Sequence, residues 1–141
     1  MHAPVHPLDP NFLVMVDQRE HFIMGDDHGD VAARVDAASY WYFSRWRWSV
    51  KYDKRGKKPY LYRTLTERTF GRKSSLYLHV AILIKFGRPP PAPEYDIADH
   101  GDGNTLNCLL DNLEWATASM NAKNRREANH RVNGKFARRE P

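Results

Sequence analysis

Apolar and polar positions change rhythm several times along this chain, and each rhythm predicts an element. Phe12-Leu13-Val14-Met15-Val16 and His21-Phe22-Ile23-Met24 are short apolar runs that predict strands. The second run is closed by Gly25-Asp26-Asp27-His28-Gly29-Asp30, which is turn chemistry. Val31 to Ala38 predicts a short helix. From Ser44 onward Trp46, Trp48 and Val50 alternate with Arg45, Arg47 and Ser49, the period of two that marks a half-buried strand. A polar connection, Lys51 to Lys58, leads to a return strand over Pro59 to Leu65. The pair reads as a hairpin with a cationic outer face. Over Leu76 to Phe86 the rhythm becomes helical: Leu76, Val80, Leu83 and Ile84 share one face, and Gly87 supplies a stop.

Arg88 to Pro93 holds four prolines and cannot continue a helix. Beyond it, Tyr95 to Ala98 predicts a strand running into Asp99-His100, and Gly101-Asp102-Gly103-Asn104 predicts a tight turn. Leu113 to Thr117 predicts a second strand. Thr117 is placed as the N-cap of a helix from Ala118 to about Ala128. The order strand, loop, strand, helix predicts an α+β protein: an N-terminal antiparallel sheet with a helix, then a compact second unit. The expected division is a flexible arm at 1–10, a sheet and helix region at 11–93 with possible contacts to DNA, a module at 94–128 and a basic tail at 129–141.

Composition narrows the function. Lys and Arg total 22 against 17 acidic residues, for a formal charge of +5, which favours a polyanionic partner mildly. The distribution says more. Glu94 to Glu114 contains no Lys or Arg and carries Glu94, Asp96, Asp99, Asp102, Asp111 and Glu114, while cations flank it on both sides. An acidic centre between basic arms suits a protein that holds a cation and a phosphodiester together. Arg45, Arg47, Lys57, Lys58 and Arg63, with Lys123, Arg125 and Arg126, are the candidate phosphate contacts. The single cysteine, Cys108, excludes an intramolecular disulfide and speaks against a cysteine-based zinc site. No apolar run approaches the roughly 20 residues of a membrane span, and residues 1–10 do not read as a secretory signal. A cytoplasmic protein of a bacterial or phage-infected cell is expected.

The candidate chemistry sits on the second unit. Asp99 and His100 lie at a strand end, Asn112 follows twelve residues later, and Asn121 nine residues after that, in the first turns of the helix. A strand end and a helix packed on it converge on one point. Asp99 and Asn121 offer a carboxylate and a carboxamide oxygen, hard donors suited to Mg²⁺, Mn²⁺ or Ca²⁺. Beside them His100 is an imidazole able to deprotonate water. Asn124 and His130 are rival ligands. His79 reads as a core histidine.

Leu78-His79-Val80, then Asp99-His100-Gly101-Asp102-Gly103-Asn104, then Asp111-Asn112-Leu113-Glu114-Trp115-Ala116-Thr117, then Ser119-Met120-Asn121 resemble, in series, the HNH endonuclease family, in its phage and intron-encoded, homing-endonuclease-like branch. The resemblance covers about a third of the chain. It implies a ββα-metal fold for the module, with His100 as general base and Asp99 and Asn121 as metal ligands. Asn112 is the middle residue, set with His100 in the catalytic pair because it braces the loop and fixes the imidazole. An Asn in the third position, an H-N-N variant, argues for one Mg²⁺ or Mn²⁺ rather than Zn²⁺. The implied activity is hydrolysis of double-stranded DNA, leaving 5′ phosphate and 3′ hydroxyl. With one such site, a monomer or weak dimer is expected to nick. Two other readings stand beside it: a non-catalytic DNA-binding accessory in phage packaging or recombination, and a nuclease acting on RNA.

Overall fold

A computed structural model describes residues 19–25 and 30–124. The arm, the expected strand Phe12–Val16, the helix beyond residue 124, Arg125, Arg126, His130 and the basic tail lie outside the described residues.

The fold is α+β, as expected. Strands β1 (His21–Met24) and β2 (Ala32–Val35) form an antiparallel pair with His21 opposite Val35 and Met24 opposite Ala32. Most of the short helix expected over Val31 to Ala38 is therefore a strand, and only Ala37 and Ala38 are helical. Val31, Ala33 and Val35 are buried while Arg34 is exposed, a period of two that only a pleated strand satisfies. Helix α1 (Ala37–Phe43) follows.

The strand expected from Ser44 is also displaced, because β3 begins only at Ser49 and runs to Tyr52. The tryptophans that mimicked a pleat belong to the turn that ends α1. The Trp48 indole N–H donates to the Phe43 carbonyl at 2.8 Å, and Trp46 stands edge-on to Tyr42 with centroids 5.5 Å apart. Arg45 and Arg47 thus precede the hairpin instead of lining it.

The hairpin itself forms. Strand β4 (Pro59–Thr66) returns against β3, with Val50 opposite Leu61. Asp53 closes the loop by accepting from the backbone N–H groups of Lys57 (2.9 Å) and Lys58 (3.3 Å). A third strand, β5 (Lys73–Tyr77), extends the sheet on the far side of β4. Its Lys-Ser-Ser start is exposed and carries no apolar alternation, so nothing in the pattern marks it.

Helix α2 (Leu78–Phe86) starts where β5 ends. Its buried face holds Leu78, His79, Ala81, Ile82 and Leu83, whereas Ile84 is 65% exposed. The expected face is thus rotated, since packing against β4, β5 and the second unit selects the 78/82 ridge. A Cβ on Gly87 would sit 2.7 Å from the Leu83 carbonyl oxygen, so the helix stop needs glycine for space.

The second unit is built as expected. Strand β6 (Ile97–His100) pairs antiparallel with β8 (Leu113–Ala116), placing Asp99 opposite Glu114 and His100 opposite Leu113. Between them, β7 (Asn107–Cys108) joins β2 in parallel, and a 3₁₀ turn spans Leu110–Asn112. Residues 118–124 form helix α3, and Thr117 Oγ1 accepts from the Met120 N–H at 3.2 Å. Ile23, Val35, Trp48, Leu61, Ile82, Cys108 and Leu113 belong to one core, so the sheet region and the second unit bury apolar surface against each other. The proline-rich link is held by the Trp115 indole N–H, which donates to the Arg88 carbonyl at 3.0 Å.

Candidate active site

The site is assembled where β6 meets the loop that follows it. Asp99 and His100 are both buried, at 8% and 5% exposure, which is unusual for ionisable side chains and demands partners. Asp99 finds one on α3: the Asn124 side-chain amide donates to its Oδ2 in a short hydrogen bond. The carboxamide brought directly to Asp99 is thus Asn124, one turn beyond Asn121; Asn121 is half-buried on the same helix.

His100 Nε2 lies 3.8 Å from the Cys108 sulfur. On its other side the ring faces His79, with centroids 4.5 Å apart and planes tilted by 40°. His79 reaches this position from the first turn of α2 and is held by a hydrogen bond to the Ala98 backbone. Burial drives the His79 pKa down to about 3, aided by repulsion from His100 and opposed by the Ala98 bond. Burial also drives that of His100 down to about 4; Asp102 opposes the shift and Lys58 adds to it. Both rings are therefore neutral at physiological pH.

The loop after His100 is tightly braced. The Asp102 carboxylate accepts from the Asn104 N–H (2.8 Å), the Asn112 side chain (3.0 Å) and the Asn107 side chain (2.9 Å). These hydrogen bonds oppose a burial penalty and leave its pKa below the ordinary value. Asn112 returns the contact: its Oδ1 accepts from the Asp102 N–H at 3.1 Å, and its backbone carbonyl accepts from the Gly101 N–H at 2.7 Å. Gly103, at φ +77°, turns its N–H back to the His100 carbonyl at 2.9 Å, a conformation that side chains disfavour. Every Asn112 polar group is thus spent on the loop, not directed outward.

The first sheet is fastened to this loop. Thr105 Oγ1 donates to the Pro59 carbonyl at 2.6 Å, and Lys58 Nζ reaches the Gly103 carbonyl at 3.4 Å. Lys58 therefore stands beside His100, with exposed Lys57 next to it. Arg45 and Arg63 lie elsewhere, over the Trp46 ring at 5.3 and 5.1 Å. Arg47 and Lys123 are exposed. The candidate cations thus fall into separate groups: Lys58 at the site with Lys57 beside it in the chain, Lys123 on α3, and Arg45 and Arg63 around Trp46.

Two features escaped the sequence reading. One is the pairing of His79 with His100; the Leu78-His79 motif was the available signal. The other is a ring of aromatics, in which Tyr60 lies 5.7 Å from His79 and 6.2 Å from His100, and Tyr77 lies 5.9 Å from His79. Tyr60 arrives from β4, far from both histidines in sequence, and Tyr77 from the end of β5, two positions before His79.

Among the described residues no group of three or more His, Cys, Asp and Glu side chains is arranged to hold a metal. The oxygen donors are the Asp99 carboxylate and the carboxamides of α3, a small hard set that leaves places for water and phosphate oxygens. Among the described residues no helix is long and apolar enough to cross a membrane.

Strand, braced loop, strand and helix around a buried Asp99–His100 pair define a ββα unit. Residues 77–123, about a third of the chain, match the family model described as HNH endonuclease. This segment is therefore similar to HNH endonucleases, and the likeness supports a nuclease, a hydrolase acting on DNA. No curated protein and no solved structure matches the chain.

Proposed function

We propose that this protein is a divalent-metal-dependent DNA endonuclease whose base is His100 and whose cation is held by Asp99 and Asn121. The observation that carries the reading is the placement of a buried His100 next to Asp99 in the segment similar to HNH endonucleases.

His100 Nε2 is set against Cys108 in the core, which leaves Nδ1 to take the proton from an attacking water. A neutral imidazole is needed for that step, and burial keeps it neutral. Asn124 donates to one Asp99 oxygen and leaves the other for the cation. When bound, Mg²⁺ or Mn²⁺ supplies charge stabilisation at the phosphoryl group and at the leaving 3′ oxygen. Asn112 holds the 101–104 loop, and through it the end of β6, so that Asp99 and His100 keep their spacing. Lys57, Lys58 and Lys123 are exposed or half-buried cations near these groups and take the phosphates on either side. Arg45, Arg47 and Arg63 contact DNA further out, and Arg125 and Arg126, which follow in the sequence, add two more cations. The products carry 5′ phosphate and 3′ hydroxyl. One site per chain makes a monomer a nicking enzyme, in the manner of the phage and homing-type H-N-N branch, in the cytoplasm of a bacterial or phage-infected cell.

Supercoiled plasmid with Mg²⁺ or Mn²⁺ tests this, against EDTA and against His100→Ala prepared in parallel. Open circles from the wild type, none with EDTA and a loss of at least about 10²-fold in the variant are expected. DNA binding without cleavage under any divalent metal would transfer the protein to the non-catalytic, DNA-binding class.

A further inference from the structure

A cavity of about 240 Å³ opens between the β3–β4 hairpin and the start of α2, lined by Lys51, Tyr52, Asp53, Tyr60, Tyr77 and His79. His79 is among its lining residues, and its ring centroid lies 4.5 Å from that of His100. The cavity is thus one side chain away from the candidate base. Tyr60 and Tyr77 pack edge-to-face on one another, 5.8 Å apart and at 73°, and both line the cavity. Lys51 is fixed at the mouth: its ammonium sits 4.4 Å from the Tyr62 centroid and donates to Ser75 Oγ at 3.3 Å. An ammonium has three donors, so Lys51 has capacity left for an anion. The Asp53 carboxylate, by contrast, is turned into its own loop by the Lys57 and Lys58 N–H groups.

We propose that this cavity is a nucleoside subsite that receives one unstacked base next to the scissile phosphate, with Lys51 on the adjoining phosphate. The inference rests on the nuclease reading of the His100 site and adds a substrate class to it. The volume is below the roughly 300–1,000 Å³ of sites that take drug-sized ligands, a size for one flat heterocycle. Tyrosine and imidazole faces bind any base by stacking, and only a base that has left its helix exposes a face to them. A cation beside aromatic walls pairs phosphate attraction with that stacking. The substrate is therefore DNA with an unpaired nucleotide at the cleavage position, such as a bulge or mismatch.

The test uses the full chain with Mg²⁺ on three duplexes of one sequence: fully paired, with a single-nucleotide bulge, and with the bulged nucleotide made abasic. The bulged duplex should be cut with at least about fivefold higher kcat/KM than the paired one, the low end of base–aromatic stacking. The abasic bulge should lose that preference. Lys51→Ala, at an exposed position, should raise KM for the bulged duplex several-fold, and Tyr77→Leu should reduce the preference if its melting curve shows a folded protein. Equal cleavage of all three duplexes, a preference that survives removal of the base, or an unchanged KM in Lys51→Ala would overturn the subsite. If no duplex is cut, the nuclease reading fails, and fluorescence anisotropy on the same three duplexes decides the subsite alone. Tighter binding of the bulged than of the abasic duplex supports it, and equal binding overturns it.

Discussion

The Asn124 side-chain amide donates to Oδ2 of Asp99, joining helix α3 to the end of strand β6 across 25 positions of sequence. That bond separates the jobs of two asparagines on the same helix. Asn121 is the proposed ligand, and Asn124 orients the carboxylate beside it. Asn124→Ala should raise the Mg²⁺ concentration for half-maximal cleavage and cost about 10- to 100-fold in activity at low metal, the usual cost of losing a ligand's orienting partner. Excess Mg²⁺ should restore most of that loss. Asn121→Ala should not be rescued. The opposite pattern in metal titrations would exchange the two roles.

Removal of the base should act on chemistry and not on binding. His100→Ala should lose at least about 10²-fold in kcat while its affinity for uncleaved DNA, measured in Ca²⁺, stays within about twofold of wild type. A parallel collapse in affinity would make His100 a binding group and remove it from the chemical step.

Much of the second unit was legible because its elements are local. Asp99-His100 at a strand end, the turn through Gly103, Asn112 ahead of β8 and the Thr117 cap all follow from residues a few positions apart. The first half was harder for the same reason inverted. Val31 to Val35 becomes a strand because β1 and β7 flank it, and a short stretch with two alanines does not announce its partners. Trp46 and Trp48 alternate like a strand but pack against the end of α1. The rotated face of α2, the approach of His79 to His100 and the aromatic cavity all arise from contacts between distant segments, which periodicity does not encode.

Asn112 carries a prediction about stability. Its side chain accepts from the Asp102 N–H and donates to Asp102 Oδ1 and, at 2.9 Å, to the Asn107 carbonyl. Truncation removes all three bonds, two at the exposed Asp102 and one at the half-buried Asn107 carbonyl. Asn112→Ala should lower the unfolding free energy by about 1–3 kcal/mol, measured by urea titration, and activity should fall through loss of site order. A variant as stable as wild type but inactive would mean that Asn112 contacts substrate directly.

The two buried imidazoles make stability depend on pH. In the unfolded chain each titrates near 6.5, while in the fold His79 titrates at about 3 and His100 at about 4. Between these limits the unfolded state binds more protons than the folded one, so unfolding free energy rises with pH. The stabilisation is complete above about pH 6.5 and is lost as pH falls toward the folded values. Carboxylates titrate mostly below pH 5, so the window from pH 6.5 to 5 isolates the histidines. Across it the urea midpoint should fall steadily, and proton uptake on unfolding should approach two at the acid end. His79→Gln should remove about half of that uptake even if it destabilises the fold at every pH, because the slope, not the level, counts titrating groups. A midpoint independent of pH across this window would mean that His79 and His100 are as accessible to protons in the folded protein as in the unfolded chain, and that the buried, neutral base does not exist.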